Sequence, residues 1–330
     1  YHRGQYPFFS CGNTAEHREC MTPPINLPMK YQKLNGLVAA PFTAFKTDTS
    51  LDLDKVRQQA DRLIEAGVGG AFVCGTTGEG ASMTLEERMT LAEAWIAAAG
   101  GRLRIIVHVG HACLADCAAL AAHAQKVGAS AVGCLAPYFF KPGSPEALVS
   151  FCAQVASHAP DLPFYYYHLP SMTGANFPMV QFLSRARDQI PNLAGIKFTN
   201  EDLMDYAACV RFDEGRFDIL FGRDEILLAG LVLGAKGAIG STYNYMAQIY
   251  HMLIEAFGRG DLETASKAQA SAADIIAIML RHGGLPAGKA MMSLVGIDCG
   301  PVRPPLVNLT PAQRETLRRD LEAVNFPMRQ

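Results

Sequence analysis

The sequence predicts a closed (β/α)8 barrel, also called a TIM barrel, with an appended C-terminal helical segment. Eight short apolar segments alternate with stretches of helical periodicity from residue 34 onward, as expected for strand–helix units in series. The chain has 330 residues, which suits this fold because single-domain barrels routinely exceed ~200 residues. The main alternative is an open doubly wound sheet. It is disfavoured because no Gly-x-Gly-x-x-Gly pattern follows the first predicted strand.

The eight predicted strands are short and rich in Val, Ile, Phe and Tyr. This composition is typical of parallel strands that are buried on both faces. In chain order the strands are expected over residues 36–40, 71–74, 104–108, 131–135, 164–167, 194–198, 219–221 and 238–240.

Several predicted helices carry recognisable start and stop signals. Thr84 and Glu87 form a capping-box pattern, and Gly67 follows the first helix as a C-terminal stop. Thr310 precedes Pro311 as an N-cap of the last helix. Helices are expected over 54–65, from 84 onward, and over 116–126, 145–157, 178–186, 202–210, 225–233, 246–257, 262–282 and 311–324.

The predicted domain organisation is a barrel over residues 31–258 with C-terminal helices packed on it over residues 259–330. Residues 1–30 carry four prolines and no motif, and we expect a disordered N-terminal extension there. Met21 is a candidate translation start, and the residues before Met29 are expected to be dispensable for catalysis.

Composition excludes several classes of function. The net charge is −2, without a basic stripe, which argues against a nucleic-acid partner and leaves a small molecule as the expected one. The sequence contains no apolar run of the ~18 residues that predict a membrane span. Nine scattered cysteines indicate reduced thiols and a cytoplasmic location. Cys113 and Cys117 could share a helix face, where packing is favoured over a metal or disulfide role.

Polar and reactive residues collect where the predicted strands end. The active sites of (β/α)8 barrels lie at the C-terminal ends of the strands. Residues 75–80 follow the second strand, 165–170 end the fifth, and Lys197 lies in the sixth. Residues 222–225 follow the seventh strand, and 240–244 end the eighth. The sequence therefore predicts one functional rim.

Lys197 is the candidate nucleophile. A lysine between Ile196 and Phe198 must project into the barrel or lie between strand and helix. Burial there disfavours the ammonium form and favours the neutral amine, which is the nucleophilic form. The alternative is a lysine that snorkels outward or pairs with a carboxylate, and the local pattern does not separate the two.

Two other segments have a functional and an ordinary interpretation. Residues 75–80 can present backbone N–H groups to a carboxylate, but alone they are better explained as a glycine-rich turn. Tyr165 and Tyr167 share one face of a strand. A phenol at a strand end can act as a general acid/base, although taken alone a core position is favoured.

Taken together, these segments resemble the dihydrodipicolinate synthase/N-acetylneuraminate lyase family, from Lys33 to about Leu306. The matching motifs are Gly-Thr-Thr-Gly-Glu at 75–79, Tyr-His-Leu-Pro at 167–170, Gly-Ile-Lys at 195–197 and Gly-Ser-Thr-Tyr-Asn at 240–244. They occur in the order and at the spacing of that family. The resemblance implies a Schiff-base (class I) aldolase that uses no cofactor, because the lysine imine itself holds the substrate. It also implies a homotetramer.

The resemblance assigns roles to individual residues. Lys197 matches the lysine that forms the Schiff base with pyruvate, and Tyr167 matches the tyrosine that shuttles protons. Thr76 and Thr77 match the pair that holds the pyruvate carboxylate, with Thr77 in the hydroxyl relay to the tyrosine.

Within the family, the sequence is more similar to the sialic acid lyase branch. Met172 stands where the synthase branch has a carboxylate-binding arginine, and a thioether cannot form the bidentate pair. Asp224, Glu225 and Ser241 are expected to contact hydroxyl groups of the open-chain sugar. Thr199 and Gly222 are also expected to bind the substrate. The implied reaction is the reversible cleavage of N-acetylneuraminate to pyruvate and N-acetylmannosamine. The alternative is another pyruvate-dependent aldolase or synthase, acting on a 2-keto-3-deoxy sugar acid or an aspartate-semialdehyde-like aldehyde.

Two positions depart from the family pattern. Arg223 stands where the lyases carry an apolar or aromatic residue, so it either points away from the sugar pocket or alters it. Tyr138 is displaced by one position from the tyrosine that a neighbouring subunit contributes to the proton relay.

Two other classes of function were weighed. A metal-dependent aldolase would need His108 and His111 together with a third ligand that the sequence does not provide. A non-enzymatic keto-acid or sugar sensor would have little physical reason to keep both Lys197 and Tyr167.

Overall fold

The computed structural model describes residues 31–328. The expected extension at residues 1–30, with Met21 and Met29, lies outside the described residues. Within the described part, eight parallel strands pair in chain order, and the eighth closes on the first through the Cα partners Val38 and Ile239. The predicted (β/α)8 barrel with C-terminal helices is confirmed.

Each strand begins and ends within one residue of its predicted bounds. The local hydrophobic pattern was sufficient to locate them because each of the eight contains a short apolar run. The strands are β1 (Gly36–Ala39), β2 (Gly70–Val73), β3 (Arg104–His108), β4 (Ala131–Leu135), β5 (Phe164–His168), β6 (Leu193–Phe198), β7 (Asp218–Phe221) and β8 (Gly237–Gly240).

The helices largely follow the predicted stretches, and none among residues 31–328 is long and apolar enough to cross a membrane. The α-helices are α1 (Asp54–Glu65), α2 (Leu85–Ala99), α3 (Leu114–Lys126), α4 (Pro145–Ala156), α5 (Pro170–Thr173), α6 (Met179–Ala186), α7 (Leu203–Arg211), α8 (Leu227–Val232), α9 (Tyr243–Gly258), α10 (Leu262–Arg281), α11 (Leu285–Leu294) and α12 (Pro311–Ala323). Short 3₁₀ turns cover Gly80–Ser82, Phe212–Gly215 and Asp224–Ile226.

The predicted capping box at the start of α2 is confirmed. The backbone N–H of Glu87 donates to Thr84 Oγ1 at 3.2 Å, and the Thr84 N–H donates to Glu87 Oε2 at 3.0 Å. Thr310 caps α12 in the same way, with Gln313 as its partner. These reciprocal bonds satisfy N–H groups that the helix itself leaves unpaired.

Some helix predictions were wrong in part, and helices α5 and α11 were not predicted. Glu225 lies in a 3₁₀ turn rather than in α8, and α9 begins at Tyr243 instead of residue 246. Helix α11 was not predicted, because Gly288 lowers its helix propensity. Close packing requires a glycine at this position, because a Cβ at residue 288 would lie 2.7 Å from Cζ of Phe42. The tertiary contact therefore outweighs the local preference.

Two apolar clusters separate the inside of the barrel from the layer between strands and helices. Tyr165 and Tyr167 belong to the inner cluster, together with Phe72. Tyr166 belongs to the outer cluster, and its ring centroid lies 4.7 Å from that of Phe182 on α6. The alternation of strand β5 therefore sends two of three consecutive tyrosines into the barrel.

Candidate active site

Lys197 projects into the barrel from β6. It is only 4% exposed, and its Nζ lies 4.3 Å from the centroid of the Phe72 ring and 4.0 Å from that of Tyr167. Of the residues that the structure describes, none places a carboxylate oxygen within 4.0 Å of this amine. The two alternatives for Lys197, outward snorkelling and pairing with a carboxylate, are therefore wrong.

Tyr167 and Thr76 bring two hydroxyl groups together beside this lysine. The Tyr167 hydroxyl lies 3.3 Å from Thr76 Oγ1. The sequence-based expectation placed Thr77 in the relay to the tyrosine, whereas in the structure Thr76 is in contact with it. Thr76 follows β2, and its side chain reaches Tyr167 on β5. The order of residues in the sequence does not by itself reveal this contact.

The turn at residues 75–80 is packed tightly against the end of β2. A Cβ at Gly80 would lie 2.0 Å from the backbone oxygen of Cys74. Thr43 Oγ1 donates to the backbone oxygen of Gly78 at 2.6 Å. Glu79 has a left-handed backbone with φ of 54°, which few residues other than glycine adopt readily. The turn is therefore held in one conformation by its surroundings.

Asp224 is buried between β7 and β8. Its Oδ2 accepts hydrogen bonds from Thr242 N at 3.0 Å and Thr242 Oγ1 at 2.7 Å. Burial raises the pKa of the carboxyl group, and the bonds from Thr242 oppose that rise. A Cβ at Gly240 would lie 1.9 Å from Asp224 Oδ1. Asp224 therefore has a structural role at the end of β8 as well as any role in binding.

Arg223 forms ion pairs with two neighbouring carboxylates. Its Nη2 lies 3.1 Å from Glu225 Oε1, and the same guanidinium group forms an ion pair with Glu201. Glu225 is half-buried, so its carboxylate is partly engaged within the protein. The departure from the family pattern at residue 223 thus reaches a residue expected to bind the substrate.

Thr199 and Gly222 lie against each other. A Cβ at residue 222 would be 2.1 Å from Thr199 Oγ1, so a glycine is required for this close approach. Among residues 31–328, Thr199 Oγ1 has no hydrogen-bond partner although the atom is buried. An unpaired buried hydroxyl carries a desolvation cost.

A cavity of about 620 Å³ opens at the C-terminal ends of the strands, as the sequence predicts for the functional rim. Thr76, Thr77 and Ser241 line it on the strand side. Sequence reasoning missed its opposite wall, which includes Met279 and Leu285 from the C-terminal helices. Tyr138 of the same chain also lines this cavity.

The residues considered for metal binding have other contacts. His108 is buried, and its Nδ1 donates to the backbone oxygen of Cys74 at 3.1 Å. Burial lowers its pKa well below the ordinary value, and the nearby Arg88 acts in the same direction. His111 Nδ1 lies 3.2 Å from Asp116, and Cys113 and Cys117 are free thiols. Within the described part of the chain, His, Cys, Asp and Glu residues form no group of three or more that could hold a metal ion.

The barrel has a buried lysine at its centre, and a tyrosine and a threonine hydroxyl lie beside it. This arrangement defines the class of carbon–carbon lyases that react through a lysine imine. Residues 33–324 match the dihydrodipicolinate synthetase family, and the chain belongs to that family.

Individual relatives agree with this assignment. The chain is 41% identical over 301 residues to the N-acetylneuraminate lyase of Gallus gallus, which covers 90% of this chain and 98% of the relative. The solved structure of Proteus mirabilis N-acetylneuraminate lyase has a TM-score of 0.88 and 42% identity, covering 90% of this chain and all of that one. A dihydrodipicolinate synthase from Aquifex aeolicus has a TM-score of 0.82 at 26% identity, covering 90% and 100% of the two chains. Both activities of the family therefore occur on this fold.

Proposed function

We propose that this chain is a class I aldolase that reversibly cleaves N-acetylneuraminate to pyruvate and N-acetylmannosamine. The observation that carries the proposal is the position of the Lys197 amine, which is buried in the barrel and adjacent to the Tyr167 ring. The amine attacks the ketone carbon of the substrate, and loss of water forms the imine.

The imine makes cleavage of the carbon–carbon bond possible. The hydroxyl group on the carbon beyond the α-carbon loses its proton, and the bond between these two carbons breaks. The electron pair moves onto the α-carbon, which forms an enamine on Lys197 and releases the aldehyde. The α-carbon is then protonated, and hydrolysis releases pyruvate. Tyr167 is the proton carrier in this proposal, with its hydroxyl beside that of Thr76.

The carboxylate of the keto acid is assigned to the turn that carries Thr76 and Thr77. Both threonines line the cavity, and a turn of this kind can offer hydroxyl and backbone N–H groups to an anion. The reaction needs no cofactor, because the imine with Lys197 supplies the electron sink.

The choice of a sugar acid as the substrate is supported by the far side of the site. Ser241, which is expected to contact the sugar hydroxyl groups, lines the cavity. Asp224 and Glu225 supply carboxylates at the same rim, where Met172 offers no positive charge for a second carboxylate. The relatives from Gallus gallus and Proteus mirabilis that are named N-acetylneuraminate lyases share 41–42% of their residues with this chain. Another pyruvate-dependent aldolase is the second candidate, since Arg223 pairs with Glu225.

Borohydride trapping tests the covalent step. Incubation with pyruvate and borohydride should add one reduced pyruvate to the peptide that contains Lys197, and Lys197→Ala should abolish the addition. Lys236→Ala, at an exposed lysine, is the matched control and should be trapped normally. Trapping that survives Lys197→Ala would refute the assignment. Activity that a chelator removes would favour metal-dependent chemistry instead.

The aldehyde is identified by steady-state cleavage assays. N-Acetylneuraminate should be cleaved with a higher kcat/KM than a panel of 2-keto-3-deoxy sugar acids. Absence of N-acetylneuraminate cleavage in a protein that still traps pyruvate would shift the assignment to the second candidate.

The homotetramer and the cytoplasmic location are also proposals. Phe139 and Phe140 are 75% and 86% exposed, and their rings pack edge to face. Neighbouring exposed aromatic side chains of this kind are typical of a surface that a partner subunit covers. Sedimentation analysis of the purified protein tests the tetramer, and cell fractionation tests the location.

A further inference from the structure

Lys289 and Glu79 form a buried ion pair beside the candidate active site. Lys289 Nζ lies 2.8 Å from Glu79 Oε1, and the side chains are 2% and 1% exposed. Lys289 lies on α11, whereas Glu79 lies in the turn that follows β2. The pair therefore connects the C-terminal helices to the turn that carries Thr76 and Thr77.

Both side chains have additional hydrogen bonds. Lys289 Nζ donates to the backbone oxygen of Pro301 at 2.6 Å, and Glu79 Oε2 accepts from the backbone N–H of Arg303 at 2.8 Å. Burial lowers the pKa of Lys289, and the carboxylate of Glu79 opposes that change. Charges buried this deeply are tolerated only when they are paired and hydrogen-bonded. Loss of one partner therefore leaves the other as an unpaired buried charge, whose desolvation cost is no longer offset.

Glu79 is tied to Thr76 within the turn. The backbone N–H of Glu79 donates to the backbone oxygen of Thr76 at 3.0 Å. The backbone N–H of Gly80 donates to the backbone oxygen of Gly75, also at 3.0 Å. The left-handed backbone of Glu79 is intrinsically unfavourable and persists because the surroundings hold it. Contacts thus run from Lys289 to Glu79, then to Thr76, and from Thr76 to the Tyr167 hydroxyl.

We infer that Lys289 is a positioning residue for the keto-acid carboxylate: it holds Glu79, and through Glu79 it holds the turn that binds the carboxylate. The inference rests on the proposed function. The C-terminal helical segment then contributes to keto-acid binding, although Lys289 does not itself touch the substrate. Among residues 31–328, neither Lys289 nor Glu79 forms a hydrogen bond or ion pair with a residue at the ends of β7 and β8, where the aldehyde is expected to bind.

The Glu87–Arg303 pair supplies a matched control. The Arg303 guanidinium donates to both carboxylate oxygens of Glu87 and to the backbone oxygens of Thr49 and Ser82. Glu87→Gln weakens the attachment of the same C-terminal segment. It leaves Lys289, Glu79 and the Arg303 backbone N–H in place, so it reports a purely structural loosening.

The experiment measures the pyruvate concentration that gives half-maximal borohydride trapping at Lys197, alongside the melting temperature and the KM for N-acetylmannosamine in the condensation direction. Lys289→Met should raise the half-maximal pyruvate concentration roughly tenfold to a hundredfold, as expected for a misplaced binding group. The KM for N-acetylmannosamine should stay near that of the unmutated protein. Lys289→Arg, which keeps the charge, should recover part of the pyruvate affinity.

Glu87→Gln should lower the melting temperature without changing the half-maximal pyruvate concentration. If Lys289→Met shifts only the melting temperature, or if Glu87→Gln weakens pyruvate as much, the inference is wrong. Should Lys289→Met fail to fold, the isosteric Glu79→Gln decides by the same measurement, because it removes the charge and keeps the shape. Absence of trapping in the unmutated protein would refute the proposed function. Normal trapping with unaffected variants would refute only this inference.

Discussion

Lys197 and Tyr167 are register partners on the neighbouring strands β6 and β5, and the lysine Nζ lies 4.0 Å from the centroid of the tyrosine ring. Residues at the same register on adjacent parallel strands point to the same side of the sheet. The amine and the phenol therefore enter the barrel together, and any molecule attached to one lies close to the other.

Tyr167→Phe tests whether the phenol carries protons. Turnover should fall by roughly 10²–10⁴, the usual contribution of a general acid/base group. Phe keeps the ring that packs against Phe72 and Lys197, so the melting temperature should hardly change. Steady-state kinetics and thermal unfolding measured together decide the point, since near-normal turnover would leave Tyr167 only a packing role.

Thr76→Val and Thr77→Val separate the two threonines. Valine keeps the shape of threonine and removes its hydroxyl group. Because Thr76 contacts the Tyr167 hydroxyl, Thr76→Val should lower kcat more strongly than Thr77→Val. Thr77→Val should act mainly on the pyruvate concentration needed for trapping. Equal kcat losses, or a larger loss for Thr77→Val, would contradict a catalytic role for the contact between Thr76 and Tyr167.

Gly222→Ala tests the close approach to Thr199. The new methyl group would meet Thr199 Oγ1 at 2.1 Å and the backbone oxygen of Phe198 at 2.9 Å. We expect destabilisation by about 1–3 kcal/mol, as for overpacking elsewhere, measured by urea unfolding. The double variant with Thr199→Ala removes one of the two contacts and should recover part of the loss. A fully stable single variant would show that the two loops are not held against each other.

Glu225→Gln and Arg223→Val test the sugar side of the site. A carboxylate that accepts from substrate hydroxyl groups forms charge-assisted bonds, each worth about 1.5–3 kcal/mol. Glu225→Gln should therefore raise the KM for N-acetylneuraminate and leave pyruvate trapping intact. Arg223→Val frees the carboxylate from its ion pair and should lower that KM. A fall in melting temperature at constant KM would mean that Glu225 only supports the following helix.

His168 predicts a pH dependence of stability. Burial lowers its pKa from 6.5 to about 4 in the folded protein. Between these values the unfolded chain binds more protons, so stability should fall as the pH drops from 6.5 towards 4, by up to about 3 kcal/mol. His168→Phe should flatten the dependence of the melting temperature on pH, while His158→Gln, at an exposed histidine, should not. An unchanged profile in His168→Phe would contradict the prediction. Some slope should remain because His108 has a shift of the same sign.

The strands and the capping box could be predicted because their determinants are local. A continuous apolar run identifies a buried parallel strand, and Thr84 and Glu87 lie three residues apart on one helical turn. The orientation of Lys197 could not be predicted from the residues around it, because either face of a fully buried strand is apolar. Helix α11 was missed because its determinants are not local. Gly288 weakens the local helix signal, and the contact with Phe42 makes the glycine necessary.

The sequence by itself determined the order of the strand–helix units, the family, and the residues that gather at the C-terminal rim, because all of these follow from short motifs and their spacing. Only the tertiary structure decided that Thr76 rather than Thr77 meets Tyr167, that Arg223 engages Glu225, and that Lys289 pairs with Glu79 across 210 positions of the chain. The physical reason is that closing the barrel and docking the C-terminal helices set distances of a few ångströms between residues on separate elements. The spacing of residues along the chain does not determine these distances.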